Sequence, residues 1–491
     1  MVPHMPGDGQ KPRSAREPLL WPALKLPDAL VRDLLRDNPW WQGQPSKQLP
    51  PHQRDLVGSI HRRLQQRLAP IVVVRGPRQV GKTTAQLQVV ADLLAAGVRP
   101  DHILRVQCDE LPALEDLTEP VLRIVDWFEG AVLRTTLNAA AAAGEPTYLF
   151  LDEVQNLSDW PIQLKHLVDS STTQIVVTGS SALRIEAGRD SLAGRITTYD
   201  LGPLLLREIA ELACGGHARS HWEDNGAERV ADPAFWTEGV AKAQKERDLR
   251  LRAFGAFSAR GGYPIAHERS DAQWQEIATY LNETIIKRAI QHDLRLGPRG
   301  AKRDEKLLEE VFRLCCRYAG QVAGQSAFVP EIQQALAGNI GWGRILTYMK
   351  FLDGTLLVRL VPAMELRLKK RKSPAKICIS DHGLRASWLQ EIIPLDSAGL
   401  NANPHLTDLA GHLAESALGY FLSSVPKCGT GALSAAWRGA GGGFRAHGRD
   451  EAHPGRGQVP QADRPARRYA WSTRFPRKSR LQRPLRTVGD A

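Results

Sequence analysis

Residues 71–84 read IVVVRGPRQVGKTT. Gly76 and Gly81 bracket Pro77, Arg78, Gln79 and Val80, and Lys82, Thr83 and Thr84 follow, which is the spacing G-x-x-x-x-G-K-[ST]. Each residue type meets a demand of holding a triphosphate. Backbone N–H groups turned inward make an anion cradle, and a helix N-terminus adds partial positive charge. The two glycines permit turns that a Cβ would block. Lys82 reaches the β- and γ-phosphates, and Thr83 offers a hydroxyl to Mg²⁺. ATP and Mg²⁺ are therefore the expected ligands, held by residues 76–84.

A second chemical stretch follows at Asp152-Glu153, after the apolar run Tyr148–Leu151. Asp152 is placed to hold the metal opposite Thr83, and Glu153 to orient and polarise the attacking water. With Lys82, these two acids form the expected catalytic set. A third apolar run, Gln174–Val177, ends in Thr178, Gly179 and Ser180. Either Thr178 or Ser180 suits a γ-phosphate sensor. Arg195, at the start of the run 196–201, is a further candidate phosphate contact, in the same chain or across a subunit interface.

Placing these groups together requires strands whose C-terminal ends meet. Ile71–Val74, Ile103–Val106, Tyr148–Leu151, Gln174–Val177 and 196–201 read as buried parallel strands. The spacing predicts a helix from about Asp55 (Leu56, Ile60, Leu64, Leu68). Another should follow the glycine loop and be capped by Gly97, a long one should span about 119–143, and one more about 160–168. In open α/β sheets, ligands bind at the C-terminal strand ends. The expectation is a P-loop NTPase core of the additional-strand AAA type over residues 38–213. Residues 1–37 read as an N-terminal arm, disordered to about residue 25 and with a short helix over Leu30–Leu35, and the pair Trp40-Trp41 as its anchor on the domain.

The chain has 491 residues, 42% of them hydrophobic and 24% charged, an ordinary globular composition. No run of about 18 apolar residues exists, so no membrane span is expected. There is no signal-peptide pattern, and the six scattered cysteines read as reduced, cytoplasmic thiols. The net charge of +12 suggests nucleic acid, but residues 429–491 alone carry +9, from twelve Arg and one Lys against four acids. Basic character thus belongs mainly to the tail.

The motifs GPRQVGKTT, YLFLDEVQ, VVTGSSA and SLAGRITTYDLGPLLLREI, in that order, resemble a prokaryotic family of AAA-type ATP-binding proteins. Its members join an archaeal-ATPase-like P-loop domain to a C-terminal domain of unknown function with a nuclease-like end. The resemblance continues through Arg260–Pro264, 280–293, 373–377, 381–384 and 411–415, and so covers about residues 38–428. It implies ATP binding, hydrolysis and a cytoplasmic location, and it supplies no substrate. The family's acidic E-x-D and E-x-K positions do not occur in residues 429–491, so nuclease activity is not assigned. This Gly-, Ala-, Arg- and Pro-rich tail reads either as a frameshift product beginning near Lys427 or as a disordered nucleic-acid-binding extension.

Residues 214–250 read as a linker or insertion. Its His217, His221, Glu223 and Asp224 have no metal-ligand spacing. In 251–428 three amphipathic helices (305–318, 329–336 and 342–352) precede strands 356–361 and 376–379 joined by the basic run Arg367–Lys372. That order is winged-helix-like, which makes duplex DNA a candidate partner of residues 305–379. A second copy of the chain is a further candidate partner. An LSGGQ-like signature and an arginine-rich lid are both missing, against transporter ATPases and small-molecule kinases. Two functions follow: an Mg²⁺-dependent ATPase, or a nucleotide-dependent switch or DNA-binding regulator with little turnover.

Overall fold

Alternating side chains on the central strands dictate a layered fold. Val72, Val74, Phe150 and Val176 are buried on one face, against Leu56 and Ile60 of helix Asp55–Gln66 and Val89 and Val90 of helix Lys82–Ala95. Ile71, Val73, Leu149, Leu151, Ile175 and Val177 fill the other face. There they meet helices Asp28–Asp37, Pro120–Phe128 and Trp160–Ser170. Strands apolar on both faces belong between helical layers.

A computed structural model describes residues 25–44, 48–67, 69–109, 111, 114, 117–180, 192–218, 233–290, 304–364, 374–424, 428–433 and 444–448. All lie in one unit of the chain, residues 1–449. Strands β1 (Ile71–Arg75), β2 (Ile103–Gln107), β3 (Tyr148–Asp152), β4 (Gln174–Gly179) and β5 (Ile196–Asp200) form a parallel sheet ordered β2-β3-β4-β1-β5. Strand β4 therefore lies between β1, which leads into the glycine loop, and β3, which ends at Asp152. That is the additional-strand arrangement of a P-loop NTPase core.

The edge strand β2 is closed by the segment before it. Asn38 accepts from the Arg105 N–H (2.6 Å) and donates to the Arg105 carbonyl (2.8 Å). The indoles of Trp40 and Trp41 both donate to the Ile103 carbonyl, and Trp41 stacks on Phe128. Side chains thus satisfy backbone groups that an edge strand leaves open. The short helix expected over Leu30–Leu35 is longer, Asp28–Asp37, and buries Leu30 and Leu34 completely, so the arm is ordered from Lys25 on; residues 1–24 lie outside the described residues.

The long helix expected over 119–143 is broken. Helix Pro120–Phe128 passes into a π-turn, Glu129–Leu133, Arg134 adopts φ 55°, and a new helix Leu137–Ala142 starts under Thr136. The β-branched pair Thr135-Thr136 disfavours helix, and the Thr136 hydroxyl caps by accepting from the Ala139 N–H at 3.1 Å.

The interval 214–250 is also more ordered than expected. Helices Pro233–Lys245 and Arg247–Arg260 occupy its second half, and Ala253 packs with Leu204, Ile209 and Ala210. His217 pairs with Glu211 at 2.8 Å, while His221, Glu223 and Asp224 lie outside the described residues.

The rest is largely helical. Helices Glu305–Arg317, Gln325–Leu336 and Trp342–Gly354 precede an antiparallel hairpin of Val358–Val361 with Lys376–Ile379. The basic run 367–372 lies outside the described residues. Tyr263, Ile277, Phe312, Val358 and Leu413 share one buried cluster with Val72 and Val74, so this region packs directly on the sheet domain. Of the basic tail, only strands Cys428–Leu433 and Phe444–Gly448, paired antiparallel, are among the described residues. Among the described residues no helix is long and apolar enough to cross a membrane.

Candidate nucleotide site

The glycine loop leaves the C-terminal end of β1 with little room. A Cβ on Gly76 would stand 2.2 Å from the Leu201 carbonyl oxygen, so only glycine fits there. Gly81 takes φ 95° as the residue before helix Lys82–Ala95, a conformation that L side chains disfavour. Between them the loop is braced from outside. Arg54 donates to the carbonyls of Val80 (2.7 Å), Gly202 (3.2 Å) and Pro203 (3.1 Å), and its Nε bonds Glu208 at 2.8 Å.

Lys82 is 5% exposed, with its Nζ donating to the carbonyls of Gly76 (3.1 Å) and Pro77 (2.9 Å) and lying 3.7 Å from Glu153 Oε1. Burial pushes its ammonium below the usual lysine range, against the pull of Glu153 and Asp152. The ammonium is held by loop carbonyls, at the place where phosphate oxygens would offer stronger acceptors.

The two acids have different surroundings. Asp152 is 1% exposed; its Oδ2 accepts from the Thr83 hydroxyl at 2.7 Å and from Arg105 Nη2 at 3.1 Å, and its Oδ1 accepts from the Thr178 hydroxyl. Glu153 sits at φ 50°, a strained conformation for a non-glycine residue. Its Oε2 accepts from the Ser180 N–H (3.1 Å), the Ser180 hydroxyl (2.9 Å) and the Gln155 amide. Burial alone would push the Glu153 carboxyl up; Lys82 and the bonds from Gln155 and Ser180 outweigh it and hold the carboxyl below its usual value.

A cleft of about 420 Å³ opens over these groups. Arg78, Gln79, Val80, Gly81, Lys82, Thr83, Thr84 and Glu153 line it on the sheet side. Pro264, Ile265, Tyr280, Thr284 and Arg288 face them from the helical region, and the Thr284 hydroxyl reaches Gln79 at 3.4 Å. Thr178 and Ser180 stand behind the acids: the Thr178 hydroxyl donates to Asp152 and accepts from the Glu153 N–H (3.3 Å), and Ser180 bonds the Glu153 carboxylate. Arg195 is corrected. Its carbonyl accepts from the Ile71 N–H, which puts it at the opposite end of β1 from the loop, and its guanidinium is bidentate to Asp169 (2.6 and 3.0 Å). Within this chain its guanidinium is therefore turned away from the glycine loop.

The donor set fits a hard cation: a hydroxyl and a carboxylate oxygen 2.7 Å apart are magnesium-type ligands, and together they can hold Mg²⁺ and its waters. Sequence reasoning missed Arg105, Gln155 and the brace Arg54. A charged residue in the middle of the apolar run 103–106 was the available signal for Arg105.

Residues 68–210 match the family model described as an AAA domain. This stretch is similar to an AAA domain. One curated relative matches, an uncharacterized protein, MJ1637, of Methanocaldococcus jannaschii, 29% identical over 142 residues. The alignment takes in 29% of this chain and 28% of the relative, so the chain spans about a quarter of that protein's length. Among solved structures, the Walker-type ATPase PABY2304 of Pyrococcus abyssi is 13% identical over 70% of this chain and 99% of its own, with a TM-score of 0.44. The RuvB Holliday junction branch migration motor of Thermotoga maritima is 14% identical over 70% and 96%, with a TM-score of 0.28.

Proposed function

We propose that the AAA domain binds Mg²⁺-ATP and hydrolyses the β–γ phosphoanhydride. One observation carries this reading: Thr83 and Asp152, 2.7 Å apart, stand beside Lys82, and Glu153 faces the same cleft. The loop amides and Lys82 hold the phosphates. Thr83 and Asp152 hold the metal, which when bound neutralises charge developing on the phosphate oxygens. Thr178 and Arg105, both bonded to its carboxylate, orient Asp152.

Glu153 orients a water against the γ-phosphorus and takes its proton. The oxygen–phosphorus bond to water forms as the bond to the bridging oxygen breaks, and the electron pair leaves with ADP. A carboxylate held ionised can accept that proton once it is freed from Ser180 and Gln155.

A second reading is supported by those same bonds. With Oε2 accepting three hydrogen bonds and Lys82 near Oε1, Glu153 is held in a resting position. A nucleotide-dependent switch that turns ATP over slowly would keep it there until a partner engages. Duplex DNA is the partner we propose for residues 305–379. Three helices and a hairpin follow the winged-helix order, and Arg344, Thr347 and Lys350 lie on the exposed side of the third helix.

Phosphate release from Mg²⁺-ATP, with and without duplex DNA, tests both readings. An ATPase loses turnover in Glu153→Gln and keeps ATP binding, while Lys82→Ala loses both. A protein that binds ATP without turnover in either condition is the switch.

A further inference from the structure

Phosphoryl transfer from a triphosphate calls for positive charge on the γ-phosphoryl oxygens beyond the lysine and the metal, and a planar guanidinium is the usual source. Six arginines at or near the cleft can be compared. Arg75 is bonded to Asp200, and Arg288 faces the loop from the helical wall with its side chain exposed. Arg195 is bonded to Asp169 at the far end of the sheet. Arg54 is occupied by three carbonyls and Glu208. Arg105 is buried against Asp152, Gln86 and Gln107. Arg78 differs from all of these: its buried Nε has no hydrogen-bond acceptor, and no ion pair joins it to an acid among the described residues.

We propose that Arg78 is a catalytic residue, the arginine that stabilises the γ-phosphoryl group during transfer from within its own chain's phosphate loop. This rests on the ATPase reading of the cleft. Arg78 is half-buried, lines the cleft between the loop glycines, and is close enough to Lys82 for its charge to bear on the ammonium. Two cations converging on one cleft repel each other unless an anion lies between them. An orphaned buried N–H is likewise unfavourable until an acceptor arrives. A terminal phosphate answers both, since its oxygens match the guanidinium fork. Gln79, next along, holds φ 61° and meets Thr284, which steadies the loop tip carrying Arg78. During transfer Arg78 only donates hydrogen bonds. The water's proton goes to Glu153, and the leaving electron pair stays on the ADP oxygen.

The test uses the full chain with Arg78→Gln and Arg78→Lys. It measures phosphate release, together with ADP binding by calorimetry with and without aluminium fluoride. In Arg78→Gln, turnover is expected to fall about a thousandfold while ADP affinity stays within about threefold. Aluminium fluoride is expected to tighten ADP binding in the wild type and to leave that variant unchanged. Arg78→Lys keeps the charge without the fork and falls between them, and it carries the test should the glutamine variant not fold. Wild-type turnover in Arg78→Gln overturns the proposal and leaves the ATPase reading standing. A wild type that binds ADP but releases no phosphate overturns both.

Discussion

Arg105 and Asp152 form an ion pair inside the sheet domain, Nη2 to Oδ2 at 3.1 Å, with side chains 4% and 1% exposed. The pair joins the edge strand to the end of the strand that carries the metal-ligand candidate. Arg105 is the counter-ion beside the buried Asp152 carboxylate.

Breaking a buried pair from one side leaves an uncompensated charge, which costs about 3–5 kcal/mol. Arg105→Met should lower stability by that order in urea unfolding. Arg105→Met combined with Asp152→Asn should recover most of the loss, because no lone charge remains. If the double variant is as unstable as the single one, the loss comes from the packing of Arg105 and not from its charge.

Gly76 is fixed by a clash rather than by chemistry. Its missing Cβ leaves space for the Leu201 carbonyl, and Leu201 in turn donates its N–H to the Arg75 carbonyl at 2.8 Å. Gly76→Ala must push the loop off this segment, at a cost of about 1–3 kcal/mol typical of overpacking. The expected result is ATP affinity weakened at least tenfold by calorimetry, with the thermal midpoint lowered. Wild-type affinity in this variant would mean that the loop moves freely against Leu201.

The sheet and the loop were legible because their signals are local: β-branched runs, glycine spacing and acids at a strand end all lie within a few residues. Arg105 was not legible, since one arginine in an apolar run gives no hint of which strand its head will meet. Asp152 lies 47 residues further on, and only the strand order brings the two together. The far wall of the cleft, with Tyr280 and Thr284, comes from about two hundred residues beyond the loop, and no periodicity encodes that packing. The break after Leu133 was written in Thr135-Thr136, but an alanine-rich run beyond it concealed the stop.

Asn38 closes the sheet edge and should be expensive to replace. It is fully buried, and its side chain makes three hydrogen bonds, two to Arg105 and one to the Leu34 carbonyl at 2.7 Å. Asn38→Ala leaves the Arg105 N–H and carbonyl without partners, at roughly 1–3 kcal/mol for each buried orphan. Hydrogen exchange at the β2 amides should accelerate in step with the stability loss. Unchanged protection there would show that the edge is closed by Trp40 and Trp41 alone.

Asp200 ties the helical region to the end of the loop strand and sets an acid limit on that contact. Its carboxylate accepts from Arg75, the last residue of β1, and from Arg359 on the hairpin. Burial alone would raise the carboxyl; the bonds and charges of Arg75 and Arg359 outweigh it and hold the group below the usual range. A depressed folded value favours folding above the unfolded value, about pH 3.9, and that contribution is lost as pH falls through the lower folded value. Asp200→Asn removes this term. Its stability should therefore fall less steeply than that of the wild type below about pH 4, and be lower than wild type at neutral pH, where the two arginines face each other without an acid. Chemical unfolding across that range measures both arms. Parallel pH profiles for the two proteins would show that Asp200 titrates alike folded and unfolded, and that the shared carboxylate does not hold the hairpin to the sheet.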